Sequence, residues 1–200
     1  ERFYGGARAS TKLTEPNGPN TKSIRREKIA RYAAGLLADG DTIFINTSST
    51  ALSMVKYITK KNITIITNNG NIINTKNPSQ ATVVLLGGEL RYKKGAMVGD
   101  FTMNNLMKVT VKKSFIGCGG LCPETGMTTE LLNEVNLNQT MFERVTRASY
   151  ILADSAKIGR RVSFVSCPTD RIENIITDKD APADIINEFR EQGILVHLVD

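Results

Sequence analysis

The sequence of 200 residues is poor in the residue types that build metal centres and disulfide frameworks. It contains one histidine, His197, and three cysteines, Cys118, Cys122 and Cys167. A small, odd number of cysteines makes no disulfide scaffold and is typical of a reducing compartment, so we expect structural thiols in a cytoplasmic protein. Cys118 and Cys122 have the spacing of half a zinc site, but a second cysteine pair is missing. We therefore expect neither a metal ion nor any other cofactor.

Long apolar runs are absent as well. The longest are a few residues, far short of the roughly 20 that a membrane-spanning helix needs. The first six residues lack the apolar stretch of a signal peptide. Hydrophobic residues make up 40% of the chain and charged residues 23%, which is ordinary for a soluble globular protein without a membrane partner.

The sequence also lacks the common catalytic signatures. It has no Ser–His–Asp order, no Gly-x-x-x-x-Gly-Lys loop and no dinucleotide fingerprint. His197 lies among Leu195, Val196 and Leu198, in a predicted strand, which favours a structural role. We therefore expect no catalytic residue.

Positive charge is concentrated at the amino-terminal end. The net charge is +6, and residues 1–31 hold eight Lys or Arg against three Glu. A basic end can lie near nucleic acid. For this span alone, a solvated helix face behind a flexible lead-in is the better explanation.

Glycine and proline punctuate residues 5–20, so we interpret residues 1–20 as a linker or arm. From residue 21 to 200, short apolar runs alternate with helical patterns. This predicts one α/β domain with an open, largely parallel sheet and helices on both faces. The predicted strands are 41–46, 63–67, 82–86, 112–116, 150–154, 174–177 and 194–199. The predicted helices are 21–39, 50–60, 70–76, 99–108, 136–148 and one that begins after Asp180 and Pro182. The first of them has the apolar stripe Ile29, Tyr32, Ala33, Leu36 and Leu37. A long loop is predicted over 117–132.

Small polar or glycine-rich turns directly follow the predicted strands. Because the carboxyl ends of parallel strands meet at one edge of a sheet, these turns are expected to form one pocket. The candidate binding residues are Asn46, Thr47, Ser48, Ser49, Thr50, Thr67, Asn68, Gly87, Gly88, Gly119, Gly120, Asp154 and Lys157.

The chemistry of these turns favours a phosphorylated polar ligand. Residues 47–50 carry four consecutive hydroxyls where a helix begins, and a helix amino terminus attracts anions. Capping the helix would need only one of them. Lys157 adds a positive charge, and residues 117–120 let a ligand approach the backbone closely.

In this order, the motifs resemble the effector-sensing domain of DeoR-family bacterial transcriptional repressors over nearly the whole chain. The matching segments are Tyr4–Ala7, Ile29–Ile45, Thr67–Asn68, Leu86–Gly88, Val98–Gly99, Phe115–Gly117, Gly126–Thr128, Ala153–Gly159 and Thr177–Asp178. The family's phosphate loop usually reads Asp-Ser-Gly-Thr-Thr, whereas here Asn46 replaces the acid and Ser48 the glycine.

The resemblance implies a ribose-5-phosphate isomerase-like fold and a homo-oligomer that binds a phosphorylated sugar. It also implies operator DNA binding through an amino-terminal winged helix-turn-helix domain that this chain does not include, so that residues 1–20 follow that domain. We expect a sensor of carbohydrate metabolism in which the effector acts allosterically, and not an enzyme.

Two other functions remain open at this point. Ribose-5-phosphate isomerase shares the implied fold, and its Ala-Asp-Ala-Ser-Lys element resembles residues 153–157. However, residues 116–120 offer no carboxylate where the enzyme has Asp-Gly-Ala-Asp-Glu, and isomerisation requires one to move protons. The third possibility is direct nucleic-acid binding through residues 1–31.

Overall fold

A computed structural model describes the backbone of residues 19–200 and the side chains from Thr21 onward. The predicted arm of residues 1–20 and the Tyr4–Ala7 motif thus lie outside the described residues. Pro19 and Asn20 are the exception, since their backbone begins the first helix. Within residues 19–200, no helix is long and apolar enough to cross a membrane.

The described residues form twelve strands and five α-helices. The strands are β1 Thr42–Ile45, β2 Thr64–Thr67, β3 Thr82–Leu85, β4 Glu89–Arg91, β5 Ala96–Val98, β6 Val111–Gly117, β7 Gly120–Cys122, β8 Gly126–Thr129, β9 Val145–Leu152, β10 Phe164–Cys167, β11 Asn174–Asp178 and β12 Leu195–Val199. The helices are α1 Pro19–Gly35, α2 Ser49–Ser53, α3 Asp100–Leu106, α4 Leu132–Glu143 and α5 Ala183–Glu191, with short 3₁₀ turns at Met54–Tyr57, Gly70–Asn74, Ser155–Lys157 and Thr169–Arg171.

Seven strands make one sheet in the order β12-β11-β9-β6-β1-β2-β3, and every neighbouring pair is parallel. The chain first builds outward from β1 to β3, then crosses to the other side of β1 and continues from β6 to β12. The strand order therefore reverses between β1 and β6. In open α/β sheets, ligands bind at such a switch point, outside the carboxyl ends of the strands.

Hydrophobic side chains cover both faces of this sheet. Successive strand residues point to opposite faces, so Ile43 and Ile45 join the apolar cluster that includes α1 and α2, while Phe44 joins the cluster of α3, α4 and α5. The predicted open parallel sheet with helices on both faces is confirmed.

The first helix ends at Gly35 instead of residue 39, and its predicted apolar stripe is only partly buried. Ile29, Ala33 and Leu37 are buried as expected. Tyr32 is 39% exposed, and its hydroxyl lies 3.0 Å from Nδ1 of His197. His197 thus links the edge strand β12 to α1. This is a structural contact, and it lies away from the carboxyl ends of β1 and β6.

The loop predicted over residues 117–132 is wrong, because it contains β7 and β8. These strands pair with β10 in a small antiparallel sheet. Their three or four residues are rich in glycine, cysteine and threonine and show no strand pattern in the sequence. Gly126 has a φ of +76°, and a Cβ there would lie 2.2 Å from the carbonyl oxygen of Cys167.

Other elements differ from prediction as well, and the helix expected over 70–76 is a 3₁₀ turn at Gly70–Asn74. The helix expected over 136–148 ends at Glu143, and Val145 and Ala148 belong to β9. Arg144 already has non-helical backbone angles. The residues that follow it pair in parallel with β6 as part of β9. The helix expected over 50–60 is a short α2 followed by a 3₁₀ turn.

Candidate functional site

A cavity of about 500 Å³ lies over the carboxyl ends of four adjacent strands, β9, β6, β1 and β2. It therefore spans the switch point, and its volume suits a small ligand. Its walls are formed by the segments that follow these strands, by α1, by the β4–β5 hairpin and by the start of α4. The lining residues are Lys22, Arg26, Asn46, Thr47, Ser48, Ser49, Leu52, Asn69, Asn71, Lys93, Lys94, Gly117, Cys118, Gly119, Thr129, Glu130, Leu131, Glu134, Lys157 and Arg160.

The fold brings together six of the thirteen candidate residues from the sequence. Those that line the cavity are Asn46, Thr47, Ser48, Ser49, Gly119 and Lys157. The candidates that do not line it are Thr50, Thr67, Asn68, Gly87, Gly88, Gly120 and Asp154.

The four hydroxyls of residues 47–50 have different environments. Ser48 caps α2, because its Oγ accepts hydrogen bonds from the amides of Thr50 and Ala51 at 3.1 and 3.4 Å. Thr50 is fully buried, and its hydroxyl has no hydrogen-bond partner within the described part of the chain. Ser49 is exposed on the cavity wall, so its hydroxyl is the one most accessible to a ligand.

Ser48 also packs tightly against the end of β6. A Cβ on Gly117 would lie 1.9 Å from the Ser48 Oγ, so only glycine fits opposite this serine. Ser48, which stands where the resembled phosphate loop has a glycine, is thus accommodated because Gly117 on the neighbouring strand leaves space for its side chain.

Asn46 is fully engaged with the protein. Its Nδ2 donates to the carbonyl oxygen of Gly117 at 2.9 Å and to Oδ1 of Asn138 at 3.1 Å. Its Oδ1 accepts from the amides of Gly117 at 3.0 Å and Ser48 at 3.2 Å. The side chain therefore fixes the ends of β1 and β6 against each other.

The candidates at the end of β2 fix the segment that follows this strand and the β4–β5 hairpin beside it. Thr67 accepts a hydrogen bond from the amide of Asn69 at 3.0 Å, and Asn68 donates to the carbonyl oxygen of Met97 at 3.1 Å. Asn71 donates to the carbonyl oxygen of Lys94 at 3.0 Å. Thr67 and Asn68 thus position residues of the wall without forming it themselves.

The glycine candidates have structural surroundings. The carbonyl oxygen of Gly87 accepts from Thr102 at 2.6 Å, and a Cβ on Gly88 would lie 2.1 Å from the same hydroxyl. Both glycines therefore allow α3 to pack closely against the segment that follows β3. A Cβ on Gly120 would lie 2.3 Å from the carbonyl oxygen of Arg160, so this glycine allows β7 to approach the turn beyond β9.

Cys118, Asp154 and Lys157 lie near one another at the β9 end of the cavity. Burial raises the pKa of the Cys118 thiol to about 11, with Lys157 lowering it and Asp154 raising it further. Asp154 is wholly buried, and neither carboxylate oxygen has a hydrogen-bond partner among the described residues. Cys118 is a free thiol, as are Cys122 and Cys167, and its raised pKa makes it unreactive at neutral pH.

Glu134 is a wall residue that the sequence analysis missed. Its Oε1 accepts from the hydroxyl of Thr47 at 2.9 Å and its Oε2 from that of Thr129 at 2.7 Å. Glu134 lies in the first turn of α4, which begins four residues before the predicted start. No sequence signal placed this carboxylate beside the turn that follows β1.

Most of the positive charge in the cavity was missed too. Beside Lys157, the basic lining residues are Lys22 and Arg26 on α1, Lys93 and Lys94 at the tip of the β4–β5 hairpin, and Arg160. Arg160 pairs with Glu130 at 3.3 Å. Six basic side chains thus face two carboxylates, so the cavity attracts anions.

Comparison with known proteins places this chain in a family. The model of the DeoR C terminal sensor domain matches residues 21–179. The chain is 30% identical to the "Uncharacterized HTH-type transcriptional regulator FruR" of Bacillus subtilis strain 168, over 98% of this chain and 78% of that protein. It is 24% identical to the "Glycerol-3-phosphate regulon repressor" of Escherichia coli strain K12, over 98% of this chain and 80% of that protein.

Among solved structures, the chain is similar to eIF2B beta from Chaetomium thermophilum. The TM-score is 0.56 at 14% identity, over 78% of this chain and 51% of that one. The chain thus spans about half the length of this structural neighbour, and the likeness supports the fold alone. The matched relatives are regulators of transcription and not enzymes, in agreement with the expectation of a regulatory domain. It belongs to the family of DeoR C-terminal sensor domains.

Proposed function

We propose that residues 21–200 sense a phosphorylated sugar and thereby control the transcription of genes for sugar metabolism. The observation that carries this proposal is the basic cavity at the switch point of the sheet. Its hydroxyls, amides and single fixed carboxylate suit a polar ligand that carries negative charge.

The cavity offers separate partners for a phosphate and for sugar hydroxyls. A phosphate carries a charge of about −1.5 to −2 at pH 7. In our proposal it lies by Ser49, next to the basic residues of α1 and the hairpin. Glu134 is fixed by Thr47 and Thr129, and its remaining lone pairs suit the hydroxyl donors of a sugar. Lys157 completes the site as a donor to a sugar oxygen or to an anion.

The relatives support the regulatory part of the proposal. One of them is named for a regulon of glycerol 3-phosphate, a phosphorylated polyol, and another is named as a helix-turn-helix regulator. We infer that this chain acts in the same way, with a helix-turn-helix domain on its amino-terminal side contacting operator DNA. We further propose a homo-oligomer, in which ligand binding is coupled to DNA affinity by about 1–3 kcal/mol.

A thermal-shift panel of sugar phosphates and their matched free sugars tests the sensor function. A ligand that binds only the native state at 100 times its Kd raises the free energy of unfolding by about 2.7 kcal/mol. We expect at least one phosphorylated sugar to raise the melting temperature while its free sugar does not. Equal shifts with glucose and glucose 6-phosphate, and with every other such pair, would contradict the proposal.

A further inference from the structure

We propose that Arg25 and Asp178 are positioning residues of the cavity. Their ion pair fixes α1 relative to the turn that carries Lys157, so that basic side chains of both elements reach the same ligand. This inference rests on the proposed function and goes beyond it by naming two residues behind the wall. In the described part of the chain, neither of them lines the cavity itself.

Arg25 lies between two residues of the cavity wall on α1. Lys22 and Arg26 line the cavity, and residues three and four positions apart are neighbours on a helix surface. The Arg25 side chain is 15% exposed, and its Nε lies 3.5 Å from Oδ1 of Asp178. The same guanidinium contacts Oδ2 of Asp180, at 2.9 Å from Nε and 2.7 Å from Nη2. This part of α1 is thus tied to the carboxyl end of β11.

Asp178 links the helix to the turn after β9. Its Oδ2 accepts a hydrogen bond from the amide of Ser155 at 2.7 Å, whereas its Oδ1 faces Arg25. Ser155 is the first residue of the 3₁₀ turn that ends at Lys157. One carboxylate therefore holds α1 with one oxygen and the Lys157 turn with the other.

The link is largely closed to water. The Asp178 side chain is only 4% exposed, so its interactions are screened far less than those of a surface pair. Removing one partner of a buried ion pair leaves an uncompensated charge. Without Arg25, the Asp178 carboxylate would be drawn toward solvent and away from Ser155, and both α1 and the turn would lose their common contact.

Both linked elements contribute cations to one cavity. Lys22 and Arg26 come from α1, and Lys157 comes from the turn. Hydrogen bonds need a donor–acceptor distance of about 2.7–3.2 Å. A ligand that contacts Lys157 and α1 together would therefore lose one of the two contacts after a small shift of the helix against the turn.

The opposite charges of Arg25 and Asp178 make the inference testable. A bound anion is attracted by Arg25 and repelled by Asp178, so charge alone predicts that Arg25→Met weakens binding and that Asp178→Asn strengthens it. Positioning predicts that both variants weaken binding, because each breaks the same link. Asparagine keeps the shape of the Asp178 side chain and removes the charge that holds Arg25.

Calorimetry measures these effects with one ligand from a defined panel. The panel is glucose 6-phosphate, fructose 6-phosphate, fructose 1-phosphate and glycerol 3-phosphate, and the probe is the compound that raises the melting temperature most. We expect Arg25→Met and Asp178→Asn each to raise the Kd of this probe at least fivefold. The titrations are made at about 150 mM salt, where distant charges are screened.

Glu27 and Lys56 supply matched controls. The Lys56 Nζ lies 2.7 Å from Oε1 of Glu27, and this pair ties α1 to the 3₁₀ turn Met54–Tyr57 outside the cavity wall. Lys56→Met and Glu27→Gln remove the same two signs of charge as the test variants. Because they leave the link to the Lys157 turn intact, each should change the Kd less than twofold.

A double-mutant cycle with Lys157→Ala tests the route of the effect. If Arg25 acts by fixing α1 relative to Lys157, its removal should matter little once the Lys157 side chain is gone. We expect Arg25→Met to raise the Kd less than twofold in the Lys157→Ala background. A full fivefold loss there would show that Arg25 acts independently of Lys157 and would overturn the inference.

Ser155→Pro provides a second variant if Asp178→Asn does not fold by circular dichroism. Proline has no amide proton, so this change breaks the bond to Asp178 without altering any charge. Asp154 already has the extended backbone, with φ −70° and ψ 157°, that the residue before a proline favours. We again expect the Kd to rise at least fivefold, and an unchanged Kd would contradict the inference.

The outcomes separate this inference from the sensor function. An unchanged Kd in Arg25→Met, tighter binding in Asp178→Asn, or an equal loss in the two controls would overturn the inference and leave the sensor function standing. If no phosphorylated sugar binds the unaltered protein, the sensor function fails and the inference fails with it.

Discussion

Asn46 and Gly117 exchange two hydrogen bonds across the switch point of the sheet. The Nδ2 of Asn46 donates to the carbonyl oxygen of Gly117 at 2.9 Å, and its Oδ1 accepts from the Gly117 amide at 3.0 Å. This pair closes the end of β1 against the end of β6, where the centre of the cavity wall is formed. Asn46 therefore shapes the site, and its amide is not available to read a ligand.

We expect Asn46→Asp to lower the free energy of unfolding at pH 7 by about 1–3 kcal/mol. A carboxylate cannot donate, so it would face the Gly117 carbonyl oxygen and Oδ1 of Asn138 without a proton. Asn138 can turn its amide around and donate, but the backbone carbonyl cannot. Urea unfolding measures the loss, which should shrink at acidic pH as the new carboxyl becomes protonated and donates again.

Asn136→Asp on the exposed side of α4 is the control, because it makes the same chemical change without a buried partner. If Asn46→Asp were as stable as this control at pH 7, the amide of Asn46 would not be needed to join the two strands.

Ser49 and Thr50 allow a matched test of the phosphate loop. We expect Ser49→Ala to weaken the best sugar phosphate about tenfold, since a hydrogen bond to a charged group contributes about 1.5–3 kcal/mol. Thr50→Val keeps the shape of a buried side chain whose hydroxyl has no partner among the described residues. It should leave affinity unchanged and stability equal or slightly higher. Calorimetry showing the reverse pattern would mean that the loop presents Thr50 to the ligand.

Lys157→Ala should weaken binding of the same ligand by about tenfold, through the loss of one charge-assisted hydrogen bond. Lys157 forms no ion pair with a described residue and lies in a 3₁₀ turn, so the melting temperature without ligand should change little. Lys76→Ala, at an exposed position outside the cavity, is the matched control. Equal affinity of the Lys157 and Lys76 variants would remove Lys157 from the site.

Asp41 controls stability from the opposite edge of the sheet. Burial alone would raise its pKa, but hydrogen bonds from Lys113 at 2.8 Å and from the Ala38 amide at 2.9 Å hold the pKa below the usual 3.8. The stability that this carboxylate contributes is therefore fully present above pH 3.8 and is lost as pH falls through the lower folded-state value.

We accordingly expect Asp41→Asn to lower the free energy of unfolding by about 1.5–3 kcal/mol at pH 6, and by less as pH falls below 3.8. Because Asp41 precedes β1 and the cavity follows it, ligand affinity at pH 7 should not change. Urea unfolding at several pH values checks the first expectation. A constant deficit across the acid range would show that Asp41 acts without its charge.

The parallel sheet could be predicted because its strands are buried on both faces. Residues 42–45 and 64–67 are apolar runs that the local sequence alone identifies as strands, and each is followed by a polar turn. The small sheet of β7, β8 and β10 could not be predicted from the sequence. Its strands of three or four residues are defined by long-range pairing and carry no local alternation.

The residues of the site likewise fall into those that the sequence could predict and those that it could not. Thr47, Ser49 and Lys157 follow predicted strands directly, so topology alone brings them together. Lys93 and Lys94 lie between glycines in a hairpin whose position depends on Asn71 and on the segment after β2. Such tertiary contacts leave no mark in the local sequence, and neither does the approach of Glu134 from α4.

The absence of catalysis is the last prediction, and Glu134 makes it sharper. The sequence offered no carboxylate near residues 116–120, but the fold brings one to the wall. Both of its oxygens already accept hydrogen bonds from threonine hydroxyls. We therefore expect it to hold sugar hydroxyls rather than to remove a proton from carbon.

The measurement is deuterium exchange from solvent at C1 or C2 of a bound sugar phosphate, followed by NMR. We expect no exchange above background, because losing a positioned acid or base lowers the rate by roughly 10²–10⁴-fold. Glu134→Gln keeps the side-chain shape and removes the base, so any exchange by the unaltered protein can be assigned. Exchange that depends on the protein and vanishes in Glu134→Gln would show that this sensor retains a working proton-transfer group.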